Sequence, residues 1–246
     1  MIVCQYVILT TLLYLVKSIN HNVKRGSMST ILHIDTSARA FDRLRSSHNS
    51  ISRMLADKFR KQWECKNPNG KVIYRDIGQN PPDFINEAWI AAVFTPDEQR
   101  TDEQNALVSL SDELIDEVIR ADIILLSTPM YNYGMPAALK AWFDQVIRVN
   151  KTFSFDLSRG DFPLEPIMSG KTMVLISSCG EFGFQVGGIR EALNHLGPHI
   201  EVASKYLGVE KFYEISSEYQ EFGDQRHIKS LNEAHAAVAD LVAKLA

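Results

Sequence analysis

Between Pro129 and Pro136 the chain sets an amide (Asn132), two phenols (Tyr131 and Tyr133), a thioether (Met130) and a glycine (Gly134) in one short segment. Amide and phenol groups donate to and accept from the edge of a flat heteroaromatic ring, and aromatic side chains stack on its face. Asn132 offers both a donor and an acceptor from one planar group. An ordinary strand-to-helix connection is the plain alternative, in which Asn132 closes the turn through its own backbone. A second cluster begins at Ser37 and continues through Arg43, Arg45, Ser46, Ser47 and Asn49 to Ser50, Ile51 and Ser52. Hydroxyls in front of a helix sit where unpaired N–H groups and the helix dipole attract an anion. Helix capping by serine explains the same residues equally well. A third cluster is Ser178, Cys179 and Gly180, just past an apolar run. No His or Asp signature accompanies Cys179, so it reads as an inert thiol at a strand end. His195 and His199 have the spacing of one helix face, but no Glu stands beside the first, and they read as polar-face histidines rather than zinc ligands. No metal site is expected.

Each cluster follows a segment that reads as a buried strand. Ile31 to Asp35, Ala121 to Leu126 and Thr172 to Ser177 are short runs rich in Ile, Leu and Val. Lys71 to Asp76 alternates as a strand, and Lys211 to Ser216 supplies a fifth. Helical stripes lie between them: Ile51, Met54, Leu55 and Phe59; Leu107 to Val118; Leu139, Trp142, Phe143, Val146 and Ile147. A further helix is expected over 187–207, capped by Gly208, and a closing one from Leu231 to Leu245. Residues 83–100 read as a short helix and a loop, and 156–170 as an irregular flap. Strands alternating with helices argue an α/β fold, a doubly wound five-stranded parallel sheet covered on both faces. Ser37, Pro129 and Ser178 then all lie past strand carboxyl ends, where such sheets bind ligands.

Composition sets limits on the class. A net charge of −4, with Lys and Arg scattered through 246 residues, gives no nucleic-acid groove and no polybasic membrane surface. Three separated cysteines suit a reducing cytoplasm better than a disulfide framework. Residues 2–16 are apolar but shorter than the roughly 20 residues of a spanning helix. They also lack the basic start of a secretory signal. We expect residues 1–27 to be an extension outside the fold and 28–246 to form one domain; a short membrane-associating anchor is the rival reading.

The run from Pro129 to Asp144, with its Met130-Tyr131-Asn132-Tyr133 loop, resembles the signature of the FMN-dependent NADH:quinone reductases called azoreductases. The resemblance extends from about Ser29 to beyond Ser217. It implies a flavodoxin-like fold with FMN as cofactor. Ser37, Ser50, Ile51 and Ser52 would hold its phosphate, and Pro129, Met130, Tyr131, Asn132 and Tyr133 would wrap its ring, with Asn132 near N5. Ser178, Cys179 and Gly180 would contact the pyrimidine edge through backbone groups. The sequence departs from the family where Cys179 replaces an Arg and Glu181 a Gly, and where the loop before Ser50 is longer, so that Ser46 or Ser47 could substitute. The implied activity is hydride transfer from NADH or NADPH, then two-electron reduction of a quinone or azo compound in the same slot by a ping-pong mechanism. Phe182 and Phe184 are candidate walls. A homodimer is implied, and the adjacent Trp142 and Phe143, hard to bury together, point the same way. A flavodoxin-type electron carrier or a non-catalytic flavin-binding regulatory module would share the site.

Overall fold

The computed structural model describes residues 29–44 and 49–245. Residues 1–27, and the alternative hydroxyls Ser46 and Ser47, lie outside the described residues. Five strands, β1 (Thr30–Asp35), β2 (Lys71–Asp76), β3 (Ile123–Pro129), β6 (Lys171–Ser178) and β7 (Val209–Ser217), form one sheet in the order β2-β1-β3-β6-β7. Every pairing in it is parallel. The central strand β3 is buried along its whole length, which is why its sequence is apolar without alternation.

Helices α1 (Ile51–Lys66), α2 (Glu87–Phe94), α3 (Asp102–Arg120), α4 (Ala137–Val146), α5 (Gly197–Ser204) and α6 (Gln225–Leu245) complete the fold. Leu55, Phe59 and Trp63 of α1 and Val238 and Val242 of α6 pack on one face of the sheet, against Ile31, Leu125, Val174 and Ile176. Leu114 and Val118 of α3, Leu139, Trp142 and Val146 of α4 and Ile200 of α5 cover the other, against Leu32, Ile34, Leu126 and Leu175. Alternate strand residues thus feed two separate cores. Local signals fix the helix starts. Ser50 caps α1, Asn86 caps α2, and Thr101 with Gln104 forms a reciprocal capping box on α3.

Three expectations change. The helix expected over 187–207 is broken: only α5 is α-helical, with single 3₁₀ turns at Glu191–Leu193 and Lys205–Leu207. Pro198 sits in the first turn of α5, where its missing N–H is harmless, and it cannot continue a helix arriving from residue 187. The flap at 156–170 includes the second strand of an antiparallel hairpin, β4 (Phe153–Phe155) with β5 (Leu164–Pro166). Trp142 and Phe143 are both buried, 0% and 3% exposed, with rings edge-to-face at 5.1 Å. They can both bury because α4 packs on the sheet and on α3 at once. They therefore supply no exposed surface for a partner.

Candidate functional site

The register of the sheet sets the carboxyl ends of its inner strands side by side: Asp35 opposite Ser127, Pro129 opposite Ser178, and Ser178 opposite Ser217. The four loops leaving these ends surround a cleft. Ser37, Ser50, Ile51, Pro129, Met130, Tyr131, Ser178, Cys179 and Gly180 all line it. Asn132 and Tyr133 line an adjoining cavity, whose wall also includes Met130, Cys179, Gly180 and Phe184. Phe184 approaches Tyr133 at 6.3 Å between ring centroids. Phe182 is on neither wall; it stacks on Tyr219 instead. Ser52 is fully buried and also off both walls, its Oγ 3.2 Å from that of Ser50.

One end of the cleft is suited to an anion. The Ser50 hydroxyl accepts from the N–H of Arg53, completing the cap of α1, while the N–H groups of Ile51 and Ser52 have no acceptor among the described residues. The Ser37 hydroxyl accepts from the N–H of Arg39, a residue that also lines the cleft. Hydroxyls, free helix N–H groups and a cation together are the chemistry suited to a phosphate.

That end of the cleft rests on a buried ionic network. Arg53, 5% exposed, donates to both Asp76 oxygens at 2.6 Å, to Asp35 at 3.3 Å and to the Ser37 carbonyl at 2.7 Å. Tyr74, His33 and the Ser127 hydroxyl also bond Asp35. Burial opposes ionisation of Asp35, but the His33 bond and charge, Ser127 and Arg53 outweigh it and hold its carboxyl below the usual range. The backbone at Gly78 closes the other side: a Cβ there would meet the Ser37 carbonyl oxygen at 2.2 Å. Between Arg53 and Gly78 the turn after β1 is held firmly.

The loop after β3 is a tight turn in which Tyr131 and Gly134 exchange both backbone hydrogen bonds at 3.0 Å. Asn132 and Tyr133 occupy its centre with φ of 48° and 66°. This is the type I′ pattern, for which Asn is well suited. Asn132, rather than Gly134, thus sets the turn by its backbone, while its amide makes no hydrogen bond among the described residues and faces a cavity. The loop is tied down by Met130 N–H to the Ser178 carbonyl at 2.8 Å and His195 N–H to the Tyr133 carbonyl at 3.0 Å. His195 precedes α5 and His199 lies within it, so the two do not share a helix face.

The loop after β6 leaves the N–H groups of Gly180 and Glu181 without acceptors among the described residues. Burial, helped by Glu218, pushes the Cys179 thiol up to about 12, so it is a neutral thiol. The segment 219–221, from the loop after β7, pairs along this loop through N–H bonds to the carbonyls of residues 179–181.

The sequence reading passed over Arg39, Arg53, Gln220 and Glu221. No local period marks Arg53: it lies off the Leu55, Phe59 and Trp63 stripe of α1, and only the fold brings it, buried, against Asp76 and Asp35. Gln220 and Glu221 were signalled only by position, past a fourth strand end on the same sheet edge.

These residues suit FMN: a cradle for its phosphate, unpaired backbone donors and an amide for its ring edge, and aromatic walls. A family model described as a flavodoxin-like fold matches residues 29–242. The FMN-dependent NADH:quinone oxidoreductase 2 of Colwellia psychrerythraea is 66% identical over 218 residues, covering 89% of this chain and all of the relative. Its namesake from Idiomarina loihiensis is 59% identical, covering 89% of this chain and 91% of the relative. Among solved structures, an FMN-dependent NADH-azoreductase from Bacillus anthracis in complex with FMN superposes with a TM-score of 0.76 over 89% of this chain and all of its own, at 16% identity, a likeness of fold. Fold, cleft and sequence agree, and the chain belongs to the FMN-dependent NADH:quinone oxidoreductase family.

Proposed function

We propose that this protein is an FMN-dependent oxidoreductase that takes a hydride from NADH, or NADPH, and reduces quinones and azo compounds by two electrons. The observation that carries this reading is the convergence of four loops on the cleft and its adjoining cavity, with anion chemistry at one end and ring-edge chemistry at the other. The names of the relatives point to the same donor and acceptor.

FMN, when bound, supplies the hydride acceptance and the electron delivery. The chain supplies binding, orientation and electrostatics. Ser37, Ser50, Arg39 and the free N–H groups of Ile51 and Ser52 would hold the FMN phosphate. The N–H groups of Gly180 and Glu181 would be donors to ring carbonyls, and Asn132 would offer its amide from the adjoining cavity. A donor placed where electron density rises on reduction favours the reduced ring. Tyr133 and Phe184 wall the adjoining cavity; nicotinamide and acceptor would use it in turn, which is a ping-pong sequence.

Residues 28–246 form the catalytic domain in this reading, and residues 1–27 are an extension outside it. Free cysteines at 65 and 179 suit a cytoplasmic setting. Among the described residues no helix is long and apolar enough to cross a membrane. A homodimer is part of the proposal: Phe155, Leu157 and Phe162 around the hairpin, and Val186 and Ile189 near the site, leave apolar surface for a second copy to cover. Steady-state NADH oxidation by FMN-reconstituted protein with a neutral quinone tests the enzymatic reading. A protein that binds FMN but turns over no quinone is a carrier or a regulatory module instead.

A further inference from the structure

Glu221 touches both parts of the site, lining the cleft and the adjoining cavity. It is held there by its surroundings. Its N–H donates to the Gly180 carbonyl at 3.1 Å, beside Gln220 to Cys179 at 3.2 Å and Tyr219 to Glu181 at 2.9 Å. Its Cγ lies 2.4 Å from where a Cβ on residue 180 would stand, so the side chain lies flat on the Gly180 backbone. Just before it, Tyr219 turns the chain with φ of 64° and stacks on Phe182, centroids 4.4 Å apart and planes within 11°. The Arg190 guanidinium covers Phe182 at 4.5 Å and that of Arg226 covers Tyr219 at 5.1 Å. A cation–aromatic–aromatic–cation stack thus clamps the segment that presents Glu221.

Charge bookkeeping singles out this carboxylate. Glu181 and Glu221 are the only charged side chains on the wall of the second cavity. Arg190 pairs with Glu181 at 3.3 Å. Glu218 accepts from the N–H groups of Gly183 and Phe184, and Arg226 pairs with Asp224. Arg39 shares the first cleft but not the second. Glu221 alone has no ion pair or side-chain hydrogen bond among the described residues, leaving one uncompensated negative charge at the slot.

We infer that Glu221 sets the charge preference of the acceptor slot, disfavouring quinones and azo compounds that carry an anionic group relative to neutral or cationic ones. This rests on the proposed reductase reading and adds the class of acceptor. A unit charge on an acceptor about 6 Å from this carboxylate, in a partly solvated site, changes its preference by about tenfold. The effect is screened as ionic strength rises.

The test compares FMN-loaded wild type with Glu221→Gln, which keeps the shape packed on Gly180 and removes the charge. The probes are 2-methyl-1,4-naphthoquinone, 1,4-naphthoquinone-2-sulfonate and a naphthoquinone bearing a quaternary ammonium group. For each protein, kcat/KM and equilibrium binding, followed by perturbation of the flavin spectrum, are measured at low and high salt. Taking the sulfonate-to-neutral ratio in the variant over that in wild type cancels the intrinsic reactivities of the quinones. The expected result is a rise of about tenfold in that ratio, a fall in the cationic-to-neutral ratio, and loss of both shifts at high salt. Ratios unchanged within about twofold in both readouts overturn the inference, well outside what one unscreened charge produces. If no quinone is turned over yet the binding ratio shifts, the charge preference stands and the reductase reading falls.

Discussion

Replacing Ser50 by alanine separates the cradle's two duties. The Ser50 hydroxyl accepts from Arg53 N–H at 3.4 Å and is hydrogen-bonded to the Ser52 hydroxyl at 3.2 Å. With Ser52 donating to it, its own proton is free to point into the cleft that Ser50 lines and Ser52 does not. Ser50→Ala therefore removes a helix cap, destabilising the fold by about 1 kcal/mol. It also removes a charge-assisted bond to the phosphate, about 1.5–3 kcal/mol, or roughly tenfold to a hundredfold in FMN affinity. Ser52→Ala removes only a neutral bond behind the contact, and should weaken FMN less than about fivefold. The assay is fluorescence titration of apoprotein with FMN and with riboflavin, alongside thermal melts. Riboflavin lacks the phosphate, so Ser50→Ala should change its affinity by no more than about twofold, since no bond to it is lost. The reasoning is refuted if Ser52→Ala is the more harmful change, or if Ser50→Ala weakens both ligands equally.

Asn132 calls for glycine rather than alanine, because its φ of 48° would strain alanine. Asn132→Gly should keep FMN yet slow its reduction by NADH in stopped flow by about fivefold to a hundredfold, one lost donor; equal rates would assign Asn132 to the turn alone. Asp35→Asn breaks the network under the cradle, though Arg53 keeps Asp76, and should destabilise by roughly 3 kcal/mol at pH 7. Because the folded carboxyl of Asp35 is held low, its contribution is present above about pH 4 and is lost as pH falls through its folded value. Denaturation midpoints of variant and wild type should therefore converge at acid pH, and a constant gap would contradict the ionic account. A chain beginning at Met28 should fold and bind FMN as the full chain does, judged by melting and titration; loss of either would place residues 1–27 within the fold.

Much of this was legible in the sequence because the inner strands are buried on both faces, which leaves runs such as 121–126 that admit few readings. Serine ahead of an apolar helical stripe marked the start of α1. Long-range facts were not legible. Whether Trp142 and Phe143 can both bury depends on α3 lying beside α4, which no local period encodes. Ser52 and Ser50 are alike in composition, and only the helix start decides which hydroxyl faces the cleft. The positive φ values of the loop fall on Asn132 and Tyr133, not on Gly134, a choice fixed by pairing Tyr131 with Gly134. Glu221 reaches the site only because β7 ends beside β6.

The central claim is that this cleft holds FMN and passes two electrons from NADH to a quinone in separate half-reactions. Anaerobic spectroscopy of the FMN-loaded protein tests it directly. One equivalent of NADH should bleach the yellow flavin band, and one equivalent of a neutral quinone, added afterwards, should restore it. A colourless protein that takes up no FMN, or a bound flavin that NADH leaves yellow, would contradict the account.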